Sequence, residues 1–173
     1  MKGSNHLWEA DIKYGNVEGE DRFFFVMSII DVFDRGIIAY HMGLSCDVKQ
    51  TLKRAILKRQ QFDKLEKSVI RTDNGPQFIS HTFEEFCEKS KIEHERIPPR
   101  RSNMNTYIES FHRIFEDDRL SGWQFETYAE AYREVTNFMI YYNYRRMHSI
   151  LLDLSPKEFY QKQDSLVIKE VRV

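Results

Sequence analysis

The chain has 173 residues, 41% of them hydrophobic and 14% aromatic, which suits one domain with a substantial buried core. Lys and Arg total 26 against 27 Asp and Glu, a formal net charge of -1, so a globally basic nucleic-acid binder is excluded and any such partner must meet a local patch. Cys46 and Cys87 lack CxxC or Cys/His spacing, the start "MKGSNHLWEAD" has no signal-peptide core, and no apolar run nears the roughly twenty residues of a membrane span, which together predict a soluble protein of a reducing cytoplasm.

From His6 to Tyr14 the pattern is mixed but strand-like, and "RFFFVMSIID", Arg22 to Asp31, is an aromatic and β-branched run expected at the centre of a sheet, with Phe23, Phe24 and Phe25 in the core. Asp34, Arg35 and Gly36 supply a turn, and "IIAYHMG" follows as the antiparallel third strand. Asp47 and Gln50 form a capping box ahead of a helix whose apolar positions are Val48, Thr51, Leu52, Ala55 and Ile56. "KSVIRTD" reads as a strand that ends at Asp73. Ser80 or Thr82 caps a helix carrying Phe83, Phe86 and Cys87, and "KIEHERI" alternates as a half-buried strand. Pro98 and Pro99 break the pattern before a helix through Ile108, Phe111, Ile114 and Phe115. A long helix starts near Thr127, with Glu130 completing a capping box and an apolar stripe of Tyr128, Ala131, Tyr132, Val135, Phe138, Met139 and Tyr142. The predicted order is βββαβαβ followed by helices, in one domain over 1–173 with a tail extension over 146–173.

Three carboxylates fall where such a topology can bring them together. Asp11 lies in a strand that should cross the middle of the sheet, where an unpartnered charge is costly. Asp73 ends a strand, in "RTDNGPQFIS", which taken alone is a turn sequence. Glu109 sits off the apolar stripe of its helix, on a face with Asn105, His112 and Glu116, where a solvated glutamate is the ordinary reading. As a set, two or three carboxylates are what magnesium or manganese needs for phosphoryl chemistry.

"WEAD", "TDNGPQF" and "NMNTYIESFHR" occur in that order, with 35 residues between Asp73 and Glu109, and "YYNYRRMHSILLDLSPKEF" follows near the end. These motifs resemble the DDE integrase core of bacterial insertion-sequence transposases of the IS-three type, itself similar to retroviral integrase cores, from about Leu7 to Phe159. The resemblance implies an α/β, ribonuclease-H-like fold: a five-stranded mixed sheet, three strands antiparallel and then parallel strands, flanked by helices. It implies that Asp11, Asp73 and Glu109 are the catalytic, metal-binding triad for two Mg2+ or Mn2+ ions, serving hydrolysis and strand transfer at mobile-element DNA ends. It implies target DNA and a second copy of the chain as partners, no membrane, and a bacterial, nucleoid-associated setting. An amino-terminal helix-turn-helix region, present in full-length members, has no counterpart before Leu7, which is expected of an excised core or a truncated copy. Ala10 stands where the family usually has threonine, Met104 where Asp or Gly is common, Ser102 where Pro is common, and Leu152-Asp153 where Gly-Tyr is frequent.

A neutral protein that handles DNA must concentrate cations near its site. The candidates are Arg100, Arg101 and Arg113 around the Glu109 helix, Asn105 and His112 on its face, and Arg145, Arg146 and His148 after the long helix. Each has an ordinary alternative: surface ion pairs with Glu93 or Glu95 for the loop arginines, an N-cap for Asn105, a surface position for His112, a basic helix end for the last three. A ribonuclease-H-like nuclease and a catalytically silent DNA-binding or oligomerisation fragment are the competing functions.

Overall fold

The computed structural model describes residues 3–62, 68–99, 102–120, 122 and 124–166. Strands β1 (Leu7–Val17), β2 (Arg22–Asp31) and β3 (Ile37–Gly43) form an antiparallel meander. Helix α1 (Val48–Lys58) leads to β4 (Val69–Thr72), which lies parallel to β1; α2 (His81–Lys89) then leads to β5 (Glu93–Arg96), parallel to β4. The strand order is β3-β2-β1-β4-β5, the expected five-stranded mixed sheet. Helices α3 (Thr106–Phe115), α4 (Tyr128–Tyr144) and α5 (Pro156–Lys162) complete the chain, and Glu116–Leu120 widens from α3 into a π-helical turn.

Alternation along the strands divides the core in two. Trp8, Ala10, Met27 and Ile29 pack beneath Leu52, Ala55 and Phe83 of α1 and α2. Phe24, Val26 and Ile30 face the other way, against Ile108, Phe111 and Phe115 of α3 and Val135, Phe138 and Met139 of α4. Burial of this many large apolar side chains is the main stabilising term.

Several boundaries differ from the sequence reading. β1 continues to Val17, because β2 pairs with it as far as Val17↔Arg22 and Gly15 seats the ring of Phe24, where a Cβ would come within 2.1 Å. Of the three phenylalanines in β2 only Phe24 is in the core; Phe23 is exposed and Phe25 is half-buried against Tyr14. Tyr132 is also exposed, because the buried stripe of α4 is narrower than its apolar residues. At the start of α4 the Thr127 hydroxyl accepts from Glu130 N–H as expected, but the Glu130 carboxylate reaches back to the N–H of Glu126 rather than Thr127. Ser80 caps α2.

Candidate active site

Glu9, Asp11 and Lys13 alternate onto the α3 side of β1. The parallel ladder between β1 and β4 ends at Ala10↔Thr72, so Asp11 and Asp73 are the next residues on strands that run about 4.8 Å apart. β4 stops there because Asp73 turns the chain: its Oδ1 accepts from Gly75 N–H at 2.9 Å, and a Cβ on residue 75 would crowd that oxygen at 3.0 Å. Asn74 donates from Nδ2 to Ile97 O, pinning the turn to the end of β5. Thr72 Oγ1 donates to Asp73 O and lies 2.9 Å from His94 Nε2, which fixes the backbone just before the aspartate.

Across from β1, α3 presents Glu109, His112 and Arg113, and the π-helical turn presents Glu116 and Asp117; with Asp11, Ile12 and Lys13 they line an open cleft of about 420 Å³. Asp11 Oδ1 accepts from Ile12 N–H, and Oδ2 lies 3.3 Å from His112 Nδ1. His112 is buried, 7% exposed, contrary to a surface histidine, because Asp11 and Phe111 enclose its ring; its Nε2 has no hydrogen-bond partner. Glu109 is exposed to the cleft, and partial desolvation and the charge of Asp11 raise its pKa, with His112 opposing. Lys13 Nζ pairs with Glu116 Oε2 at 2.7 Å across the cleft's rim.

Asp73 does not line this cleft, and among the described residues no three His, Cys, Asp or Glu side chains converge closely enough to hold a metal together. The donor chemistry fits a hard divalent cation all the same: Asp11 and Glu109 are two carboxylates of like charge on one cleft, whose repulsion a bound cation relieves. Asp73 Oδ1 is engaged by Gly75 N–H, which leaves Oδ2 as its ligand oxygen.

The sequence reading overlooked Glu9, which is fully buried. Its Oε2 accepts from Tyr107 N–H at 3.0 Å and Ile108 N–H at 2.9 Å, in the first turn of α3. Burial pushes its carboxyl up to about 7, against the opposing pull of those N–H groups, Arg71 and Arg35. The available signal was an acid between Trp8 and Ala10, two residues before Asp11 and so on the same strand face.

The remaining candidates are scattered. Arg100 and Arg101 lie outside the described residues. Arg113 is exposed at the cleft. Of the glutamates suggested as partners for the loop arginines, Glu95 pairs with Arg71, and the nearby Arg96 pairs with Glu84. Asn105 occupies the N-cap position of α3, is buried, and makes no side-chain cap bond. Arg145 is exposed after α4, while Arg146 is half-buried and pairs with Asp118 at 3.5 Å. His148 is half-buried against the ring of Tyr142, its pKa lowered to about 4 chiefly by burial, with Arg146 and Arg35 adding to the effect. It is a packed histidine rather than an exposed phosphate ligand.

The family model described as "Integrase core domain" matches residues 2–102, and a second model of that description matches residues 90–156. The chain therefore belongs to the integrase core domain family. It is 37% identical over 158 residues to an uncharacterized 39.2 kDa protein of insertion element IS476 from Xanthomonas euvesicatoria, covering 90% of this chain and 44% of that one. It is 27% identical over 159 residues to the transposase for insertion sequence element IS904 of Lactococcus lactis, covering 90% of this chain and 61% of that one. The chain thus spans about half the length of these relatives. Among solved structures, the HTLV-2 integrase catalytic core domain in complex with magnesium is similar with a TM-score of 0.56, at 19% identity, over 91% of this chain and 97% of that one. A chain of the simian T-cell lymphotropic virus intasome is similar with a TM-score of 0.72, at 15% identity, over 99% of this chain and 60% of that one. These likenesses confirm the ribonuclease-H-like fold. Among the described residues no helix is long and apolar enough to cross a membrane.

Proposed function

We propose that this chain is the catalytic core of a DNA transposase, hydrolysing and transferring phosphodiesters at the ends of a mobile element. The observation that carries the reading is the pair Asp11 and Glu109 on one cleft, beside the strand end that bears Asp73, in a member of the integrase core domain family. Asp11, Glu109 and Asp73 would hold divalent Mg2+ or Mn2+, which when bound supplies charge neutralisation at the scissile phosphate and an activated oxygen nucleophile. The chain's own residues do the rest. His112 holds the Asp11 carboxylate against the wall of the cleft, fixing one ligand oxygen. Arg113 offers a cation to a phosphate entering beside Glu109. Arg145, just past α4, is a further phosphate contact. The solved HTLV-2 core carries magnesium and was obtained in dimeric and trimeric forms, which supports a metal and an oligomer for this chain too. A cytoplasmic, nucleoid-associated setting and a single domain with its tail extension belong to the same reading.

The test is nicking of supercoiled plasmid in Mn2+, with melting temperature followed beside it. The wild type nicks the plasmid and is stabilised by Mn2+. Asp73→Asn, which removes charge and almost no volume, loses nicking by about a hundredfold or more, as expected when several kcal/mol of transition-state stabilisation is lost, and keeps its metal-free melting temperature. Nicking by Asp73→Asn at the wild-type rate would sink the assignment.

A further inference from the structure

We propose that Glu9 is a positioning residue of the active site, tethering the first turn of α3 to β1 and so setting where Glu109 stands relative to Asp11. The inference rests on the function proposed above and adds to it a residue that touches neither metal nor DNA.

Among the described residues, the N-cap residue of helix α3 gives it no side-chain cap. The first N–H groups of a helix have no partner within it, and they are normally satisfied by a Ser, Thr, Asp or Asn at the N-cap. Asn105 stands there but its side chain bonds to none of them, and its Oδ1 is buried without a partner. The vacancy is filled from another element: Glu9 of β1 takes Tyr107 N–H and Ile108 N–H on one oxygen. A carboxylate at this end of a helix also complements its dipole. The second oxygen, Oε1, has no hydrogen bond but faces Arg71 Nη1 at 3.7 Å. Arg71 extends the tether, donating from Nη1 to Met104 O, just before the helix, and from Nε to Glu95 of β5.

The placement gives the tether its consequence. Glu9 is two residues from Asp11 on one strand face, Arg71 is two residues from Asp73, and Ile108 is followed directly by Glu109. Each acid is therefore one short step from a member of the same buried network. Were helix stability alone at stake, a Ser or Asp at residue 105 would supply it locally. A cap delivered from β1 fixes the helix to the strand, which a local cap cannot do.

The test compares Glu9→Leu, which fills the volume but accepts no hydrogen bond, with Glu9→Gln, which retains an acceptor oxygen. Two readouts are taken: amide hydrogen exchange at Tyr107 and Ile108, and kcat and KM for plasmid nicking. The leucine variant should exchange those two amides at least about tenfold faster and lose kcat by roughly ten- to a hundredfold, with KM for DNA within about twofold, as a displaced catalytic group predicts. The glutamine variant should recover most of both. Unchanged exchange in the leucine variant, unchanged kcat, or a glutamine variant no better than leucine would overturn the proposal. Should a cooperative melt be lost in the leucine variant, the glutamine variant decides: near-wild-type exchange and kcat uphold the tether, and fast exchange or a tenfold loss of kcat overturns it. If the wild type itself does not nick DNA, the functional reading falls; the exchange rates then still decide whether Glu9 holds the helix.

Discussion

The ring of His148 lies edge-on to Tyr142, 5.2 Å between centroids, with Nε2 buried and unpartnered. Its folded pKa of about 4 is below the ordinary value of 6.5, so the folded state binds fewer protons than the unfolded chain between those values. Its contribution to stability is present above pH 6.5 and is lost as pH falls toward 4. Glu9 has the opposite sign over roughly the same range: its raised pKa makes stability fall as pH rises from 4.5 to about 7. The two slopes oppose one another, so the His148 effect is read by difference. The stability of the wild type minus that of His148→Gln, measured by urea melts at pH 7 and pH 4.5, should shrink at the lower pH; a constant difference would refute the buried, neutral ring. Neither residue was legible in the sequence for what it is. Arg145, Arg146 and His148 look like a basic patch when adjacency in the chain is all that is known, and only the fold turns Arg146 and His148 partly inward. That Asp11 and Glu109 would share one cleft, in contrast, was legible from the predicted order of strands and helices.

At the scale of elements, the tail motif has a structural meaning. Asn143, near the end of α4, accepts from Ile37 N–H at 2.8 Å and donates to Ile37 O at 3.0 Å, closing the first residue of the edge strand β3 as a neighbouring strand would. Asn143→Ala should therefore cost about 1–3 kcal/mol in a urea melt, the penalty of leaving shielded backbone groups unpaired, with the slope of the transition unchanged. The starts of α1 and α2 were legible because capping is local: Asp47 accepts from Gln50 N–H and Ser80 from Phe83 N–H, whereas α5, with its reciprocal Ser155 and Glu158 box, went unread. The cap of α3 was not legible, because its acceptor lies almost a hundred residues away in sequence. Leu152 and Asp153, where the family often has Gly and Tyr, both adopt left-handed backbone angles, φ 59° and 58°, which accounts for a glycine preference at the first position.

The whole molecule is closed by one buried ion pair. Arg59, one residue past α1, donates to both oxygens of Asp34 at 2.8 and 3.1 Å, and its guanidinium lies 3.9 Å from the ring centroid of Tyr160 in α5. It thus joins the first helix, the turn between β2 and β3, and the tail. Arg59→Met should lower unfolding stability by roughly 3–5 kcal/mol, since Asp34 is left buried and uncompensated, whereas a surface pair such as Lys89–Glu85 would cost little. Guanidinium titrations of Arg59→Met and Lys89→Met test this, and equal midpoints would contradict it. The number and order of strands were legible from hydrophobic runs, but this closure was not, because Asp34 and Arg59 each look like ordinary loop and helix-end charges. The mixed sheet also favours one order of assembly over another. β1, β2 and β3 pair between chain neighbours, while the ladder from Leu7↔Val69 to Ala10↔Thr72 joins residues 62 apart and carries a larger loop-closure penalty. The meander can zip early; Asp73 arrives beside Asp11 only when the parallel half docks. A nascent or half-folded chain, with the meander paired and the parallel half still undocked, consequently holds Asp11 and Asp73 apart.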